Sequence, residues 1–255
     1  MEVKIISECN ANGENPEYLF WVGSAGSFDV RSKKITRAFV SILNKANIDF
    51  AVLGKEESSS GDVAKRAGNE FLFQMQALMN IEILNNYNVK KIITTCPHSY
   101  NVLKNEYKTL GGDYHVYHHT EFLLKIINSG KLKLNKDISN KKVTYHDPCY
   151  LGRGNSIYDE PRKLIRFLGI NLVEMKRSKR KSFCCGAGGA QMFKEPEKGS
   201  KDINIERTEE AISCNIDAII TACPFCNTMM SDGVKLLKDG EIDVLDIVEL
   251  INESV

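Results

Sequence analysis

Cysteine is the residue with which this chain is equipped to do chemistry. Five of its eight cysteines fall in three short segments. Cys149 ends Tyr145-His146-Asp147-Pro148-Cys149. Cys184 and Cys185 are adjacent and run into Gly186-Ala187-Gly188-Gly189, and Cys223 and Cys226 bracket Pro224-Phe225. Adjacent cysteines rarely pair with each other, because the small disulfide ring strains the peptide between them. Two neighbouring thiolates suit a metal or an iron–sulfur cluster better. Glycines beside them let backbone N–H groups approach whatever the sulfurs hold, so Gly186, Gly188 and Gly189 are candidates for that contact.

The bulk composition bounds what the cysteines serve. A chain of 255 residues has room for one large domain or two smaller ones. Hydrophobic residues make up 42% and charged residues 26%, the balance of a water-soluble globular protein. A net charge of +1 gives no bulk attraction to nucleic acid or to an anionic membrane. No apolar run approaches the ~20 residues that cross a bilayer, and the first residues lack the apolar region of a secretory signal. The expectation is a cytoplasmic protein without direct membrane insertion. In that setting eight cysteines argue against a disulfide framework and for metal or redox chemistry.

The elements that must position the cysteines come twice. Residues 1–16 read as a polar leader containing Cys9. Strands are expected at Tyr18 to Gly23, Phe50 to Gly54 and Lys91 to Thr95, and helices from about Ser32 to Ala46 and about Val63 to Asn86. Pro97, just past a strand end, starts another helix. Residues 111–140 read as a connecting segment with a short strand at His115 to His118, a helix near Glu121 to Asn128 and a Lys/Asn-rich tail. The second copy then places strands at Lys142 to His146, Leu172 to Met175 and Ala218 to Ala222. Its helices are expected at about Asp159 to Leu168, Asp202 to Ser213, after Pro224, and at Asp243 to Asn252.

Cys149, Cys184 and Cys223 follow Ser24, Ser59 and Cys96 by 125, 125 and 127 residues. Ile92-Ile93-Thr94-Thr95-Cys96-Pro97 and Ile219-Ile220-Thr221-Ala222-Cys223-Pro224 are nearly one hexamer. A duplication is the simplest account. It predicts an α/β fold of two tandem repeats with mostly parallel sheets, related by a pseudo-two-fold, the first at 17–110 and the second at 141–255. The cysteine segments follow strands, so they meet beyond the carboxyl ends of a sheet.

In the second copy 34 residues separate Cys149 from Cys184 and 37 separate Cys185 from Cys223. With Tyr145-His146-Asp147-Pro148-Cys149-Tyr150-Leu151-Gly152-Arg153 and Ala222-Cys223-Pro224-Phe225-Cys226, this pattern resembles the cysteine-rich "CCG" domain. That domain occurs in the B subunit of heterodisulfide reductase, the iron–sulfur subunits of glycolate oxidase and anaerobic glycerol-3-phosphate dehydrogenase, and the lactate-utilisation protein A family. The resemblance implies one [4Fe–4S] cluster, of a non-cubane type in some relatives, held by Cys149, Cys184, Cys185, Cys223 and Cys226. It implies an electron-transfer subunit with flavin- or ferredoxin-type partners, which docks on a membrane-bound partner at most. Members often carry cysteine where this chain has Ser24, Ser59 and Ser99, and some also at Ser60. Only Cys96 remains in the first copy, so no cluster is expected there. Serine is a poor substitute for a thiolate, being harder and far less acidic.

The residues themselves leave other readings open. Four of the five cysteines would satisfy a structural zinc, and Cys223 to Cys226 alone resembles a thioredoxin-type dithiol. A scaffold subunit without redox activity is a further alternative. Cys9 and Cys214 read as buried bystanders. His146, Asp147 and Arg153 are the candidate catalytic side chains. His118-His119 reads as structural, and the basic run Lys176 to Lys181 as a solvated loop or a docking surface for an acidic partner. No Gly-x-Gly-x-x-Gly fingerprint follows a strand, so hydride chemistry falls to a partner. The chain reads as an oxidoreductase subunit and not as a stand-alone dehydrogenase.

Overall fold

Phe20, Ile92, Ile93, Ile219 and Ile220 are fully buried, and each lies in a short run that hides neighbouring residues on both sides. Strands of that kind belong to parallel sheets, because crossover helices leave neither face to water. The computed structural model describes residues 3–135, 141–195 and 198–255. Met1 and Glu2 of the expected leader, and residues 136–140 of the expected connecting tail, lie outside the described residues. The chain divides into two units, Met1–Leu132 and Lys133–Val255.

The first unit runs β1 (Lys4–Ile5), α1 (Ile6–Ala11), β2 (Tyr18–Trp21), α2 (Gly23–Phe28), α3 (Val30–Lys45), β3 (Phe50–Val52), α4 (Asp62–Arg66), α5 (Glu70–Asn86), β4 (Lys91–Thr94), α6 (Pro97–Asn101), β5 (His115–His118) and α7 (His119–Asn128). Its sheet has the order β1-β3-β2-β4-β5, with every neighbouring pair parallel.

The second unit runs β6 (Lys142–Tyr145), α8 (Gly152–Asn155), α9 (Asp159–Phe167), β7 (Asn171–Leu172), α10 (Ile203–Ile212), β8 (Ala218–Thr221), α11 (Pro224–Lys238), β9 (Asp243–Asp246) and α12 (Ile247–Glu253). Its parallel order β7-β6-β8-β9 repeats the β3-β2-β4-β5 part of the first sheet. From β6 the chain moves outward to β7, then returns to the other side of β6 for β8. Loops therefore leave β6 and β8 in opposite directions, which opens a crevice at their carboxyl ends.

Four sequence expectations are corrected. The leader is not outside the fold: β1 pairs with β3 through Lys4↔Ala51 and Ile5↔Val52, and Ile6 and Cys9 of α1 are buried. A two-residue strand carries too little periodicity to stand out in polar sequence. The segment from 111 does not merely connect: β5 pairs along its whole length with β4, from Lys91↔His115 to Thr94↔His118. The helix expected over 63–86 is broken. Gly68 adopts a φ of +86°, and the Asn69 side chain accepts the Leu72 N–H at 3.0 Å, starting α5 afresh. The helix expected from Asp243 begins instead at Ile247, after β9. A capping box resets the chain there: Asp246 accepts the Val248 N–H at 3.1 Å and Glu249 accepts the Asp246 N–H at 2.8 Å.

Candidate metal centre

Three strand ends of the second unit deliver the five sulfurs. β6 ends at Tyr145, and the His146 N–H still donates to the Ile220 carbonyl at 2.9 Å, so the ladder holds the chain up to Asp147-Pro148-Cys149. The loop after β7 carries Cys184 and Cys185. β8 ends at Thr221, and Cys223 caps α11, whose first helical residue is Pro224. Proline at that position loses no hydrogen bond and has the φ a helix needs. Cys226 thereby lies in the first turn of α11, on its buried side.

The sulfurs meet in a chain. Cys185 Sγ lies 3.4 Å from Cys226 Sγ. Cys149 and Cys184, Cys184 and Cys185, and Cys226 with both Cys185 and Cys223 lie near enough to shift one another's thiol pKa. Hydrogen bonds from Cys149 and Cys185 hold the Cys184 thiol far below its ordinary pKa, and the Gly186 N–H adds to this from 3.3 Å. The donors take the complementary shift: Cys149 and Cys185 are driven up, first by their bond to Cys184. Cys226 is driven well up by its bonds to Cys185 and Cys223 and by burial. Five thiols crowded together that compete for protons form a donor set short of positive charge, which is what a cationic iron or zinc centre supplies.

The loop glycines divide in their roles. Gly186, at φ +94°, turns its N–H onto Cys184, and Ala187 donates its own to Cys185. A side chain at Gly186 would press within 3.3 Å of Ile203 and Met229. Around Gly188 and Gly189 there is open space, and the Gly188 carbonyl accepts from the Gln191 N–H at 3.3 Å. The two face no close neighbour that a Cβ would strike.

Of the candidate catalytic side chains, His146 reaches toward the sulfurs. One of its ring nitrogens and the sulfurs of Cys185 and Cys226 all lie within 4.8 Å of one another. Burial, with the Arg207 guanidinium beside it, holds its pKa down to about 3. Asp147 is committed elsewhere: its oxygens accept from Arg162 Nη1 at 2.7 Å, Arg162 Nη2 at 2.9 Å and the Lys179 N–H at 2.7 Å. Arg153 donates from Nη1 to the Ser182 carbonyl at 2.6 Å, tying the Cys149 segment to the loop that carries Cys184. Both side chains brace the loops that carry the sulfurs.

Arg162 and Arg207 were not among the sequence candidates, yet both are buried beside the site. The signal was a charge on an apolar stripe. Arg207 lies between Ile203 and Ala211 at four-residue spacing on α10, and Arg162 stands among buried Pro161, Leu164 and Ile165 on α9. The basic run is partly engaged. Arg177 pairs with Glu206 and Glu210 and covers the Phe183 ring at 4.0 Å, while Lys176, Arg180 and Lys181 are exposed.

The remaining cysteines and histidines lie apart. Cys214 Sγ points to the Glu210 carbonyl at 3.6 Å, and Cys9 is buried in α1 of the first unit. His118 caps α7, and burial lowers the His119 pKa to about 3. At the strand ends of the first unit, Ser60, Cys96 and Ser99 are buried, Ser59 is half-buried and Ser24 is exposed.

The cysteine-rich domain family, CCG, matches residues 18–104 and 143–231, and the chain belongs to it. It is 46% identical over its whole length to a probable iron-sulfur-binding oxidoreductase, FadF, of Bacillus subtilis, covering 36% of that protein. It is 47% identical over 94% of its length to an EtfAB:quinone oxidoreductase of Syntrophomonas wolfei, covering 34% of it. It is also 37% identical over 84% of its length to the D subunit of the dihydromethanophenazine:CoB–CoM heterodisulfide reductase of Methanosarcina barkeri, covering 53%. The chain thus spans about a third of the first two relatives. Among the described residues, no helix is long and apolar enough to cross a membrane.

Proposed function

We propose that this chain is the electron-transfer part of an iron–sulfur oxidoreductase. In this reading Cys149, Cys184, Cys185, Cys223 and Cys226 hold one [4Fe–4S] cluster in the second repeat. The convergence of five thiols at one sheet end is the observation that carries the reading. Tetrahedral zinc uses four ligands, so a fifth thiolate is better explained by a multinuclear centre. Such a cluster supplies one-electron chemistry. The Gly186 and Ala187 N–H groups already donate to sulfur, and the N-terminus of α11 faces the same end of the sheet. Both favour added negative charge, and so favour the reduced state.

The relatives' names support partners on either side. We take these to be flavin- or ferredoxin-type subunits as donors, with a quinone or a disulfide as acceptor. The complex would face the cytoplasm and touch a membrane only through a partner. The first repeat, with serine at 24, 59, 60 and 99, carries no cluster in this reading. Anaerobic reconstitution tests it: a brown chain with about four iron and four sulfide is expected. Stoichiometric zinc without sulfide would overturn it.

A further inference from the structure

One ring nitrogen of His146 lies within 4.8 Å of the Cys185 and Cys226 sulfurs, and its neighbour Arg207 decides which nitrogen carries the proton. A guanidinium has donors in every direction and no acceptor. Arg207 Nε lies 3.1 Å from His146 Nδ1. The ring nitrogen must therefore be the acceptor, and Nδ1 carries no proton. In a neutral imidazole the proton then sits on Nε2, which has no lone pair left for a metal.

The guanidinium is not free to turn away. Nη1 donates to the Arg177 carbonyl and to Glu210 Oε2, each at 2.9 Å, and Nη2 lies 3.4 Å from Ser182 Oγ. Ser182 Oγ in turn lies 3.3 Å from the Asp147 carbonyl. The same arginine thus braces the segment before Cys149 and the segment before Cys184. Its helix is held close: a Cβ at Gly233 of α11 would collide with Thr208 of α10, so only glycine permits this approach.

We infer that Arg207 is a positioning residue that locks His146 in the Nε2–H tautomer, so that the imidazole serves the sulfur pocket as a hydrogen-bond donor and not as a ligand. The redox consequence rests on the cluster reading above, whereas the tautomer does not. Hydrogen bonds to cluster sulfur stabilise the more negative reduced state and raise the potential.

Two measurements test this. In the metal-free full chain with ¹⁵N-labelled histidine, two-bond ¹H–¹⁵N correlation is expected to show His146 neutral and protonated at Nε2. Its signals are assigned by their loss in His146→Asn. A proton on Nδ1 would overturn the proposal, whether or not any variant folds. In the reconstituted chain, Arg207→Met is expected to keep its iron and sulfide while the midpoint potential moves to lower values. An unchanged potential at full cluster content would overturn the positioning role. Failure of the unsubstituted chain to take up iron at all would count against the cluster and leave the tautomer result standing.

Discussion

Ser60 Oγ lies 3.4 Å from Ser99 Oγ, the separation that Cys185 Sγ keeps from Cys226 Sγ. The correspondence extends to the next residue. The Gly61 N–H reaches Ser59 Oγ at 3.2 Å, as the Gly186 N–H reaches Cys184 Sγ at 3.3 Å. Gly61 and Gly186 both take a positive φ, +86° and +94°. The first repeat has oxygen where the second has sulfur, on a backbone that presents both alike. Ser24→Cys, Ser59→Cys, Ser60→Cys and Ser99→Cys together, with Cys96 in place, are therefore expected to raise iron from about four to about eight per chain on reconstitution. Iron analysis reads the result, and an unchanged content would show that the first unit lacks a usable pocket.

Cysteine substitutions in the second unit separate by position. Cys214 contacts the Glu210 carbonyl and is not part of the sulfur chain, so Cys214→Ser is expected to retain full iron. Cys185→Ser interrupts the chain between Cys184 and Cys226 and is expected to lose most of it. Absorbance in the charge-transfer region and iron content after desalting distinguish the two.

The Asp147–Arg162 pair is a stability element. The two side chains are 3% and 2% exposed, and Arg162 also forks onto Glu174 at 2.6 and 2.8 Å. Removing one partner of a buried pair leaves a charge without compensation, at a cost of about 3–5 kcal/mol. Asp147→Ala is expected to lower the urea midpoint of the second unit accordingly in metal-free protein. A change within about 0.5 kcal/mol would show that Glu174 alone suffices for Arg162.

The first unit should respond to pH through Glu57. Burial pushes this carboxyl up to about 7, against the opposing pull of the Val22 and Gly23 N–H groups that it accepts. A raised carboxyl binds its proton more tightly in the folded chain than in the unfolded one. Stability is thus full below the ordinary carboxyl range and falls as pH rises toward about 7, where the folded group ionises. Thermal unfolding across pH 4–8 is expected to show this loss, and Glu57→Gln to flatten it.

Much of this was legible in the residues. Repetition of the Ile-Ile-Thr run before Cys96 and Cys223 exposed the duplication, and the matching strands β4 and β8 are those runs. The five cysteines stood out because sulfur spacing needs no knowledge of packing. The bracing contacts of Asp147 and Arg153 were not legible, because a polar residue beside a cysteine looks the same in sequence whether it reacts or braces. Arg162 and Arg207 were missed because their partners lie elsewhere along the chain. Asp147 and Glu174 hold the first, and His146 and Ser182 meet the second. β1 and β9 were missed because short strands are defined by the neighbour they pair with.

The sulfurs come from segments that follow three strands and are far apart along the chain, and this bears on the order of assembly. Bringing such distant segments together costs loop entropy before any sulfur contact repays it. Pairing of β6 with β8 places Tyr145 opposite Ile220 and holds the ends that lead to Cys149 and Cys223 side by side. In the cluster reading proposed above, metal capture would then follow the pairing of these strands. A bound centre would act on the escape from the native state, slowing unfolding far more than it hastens folding.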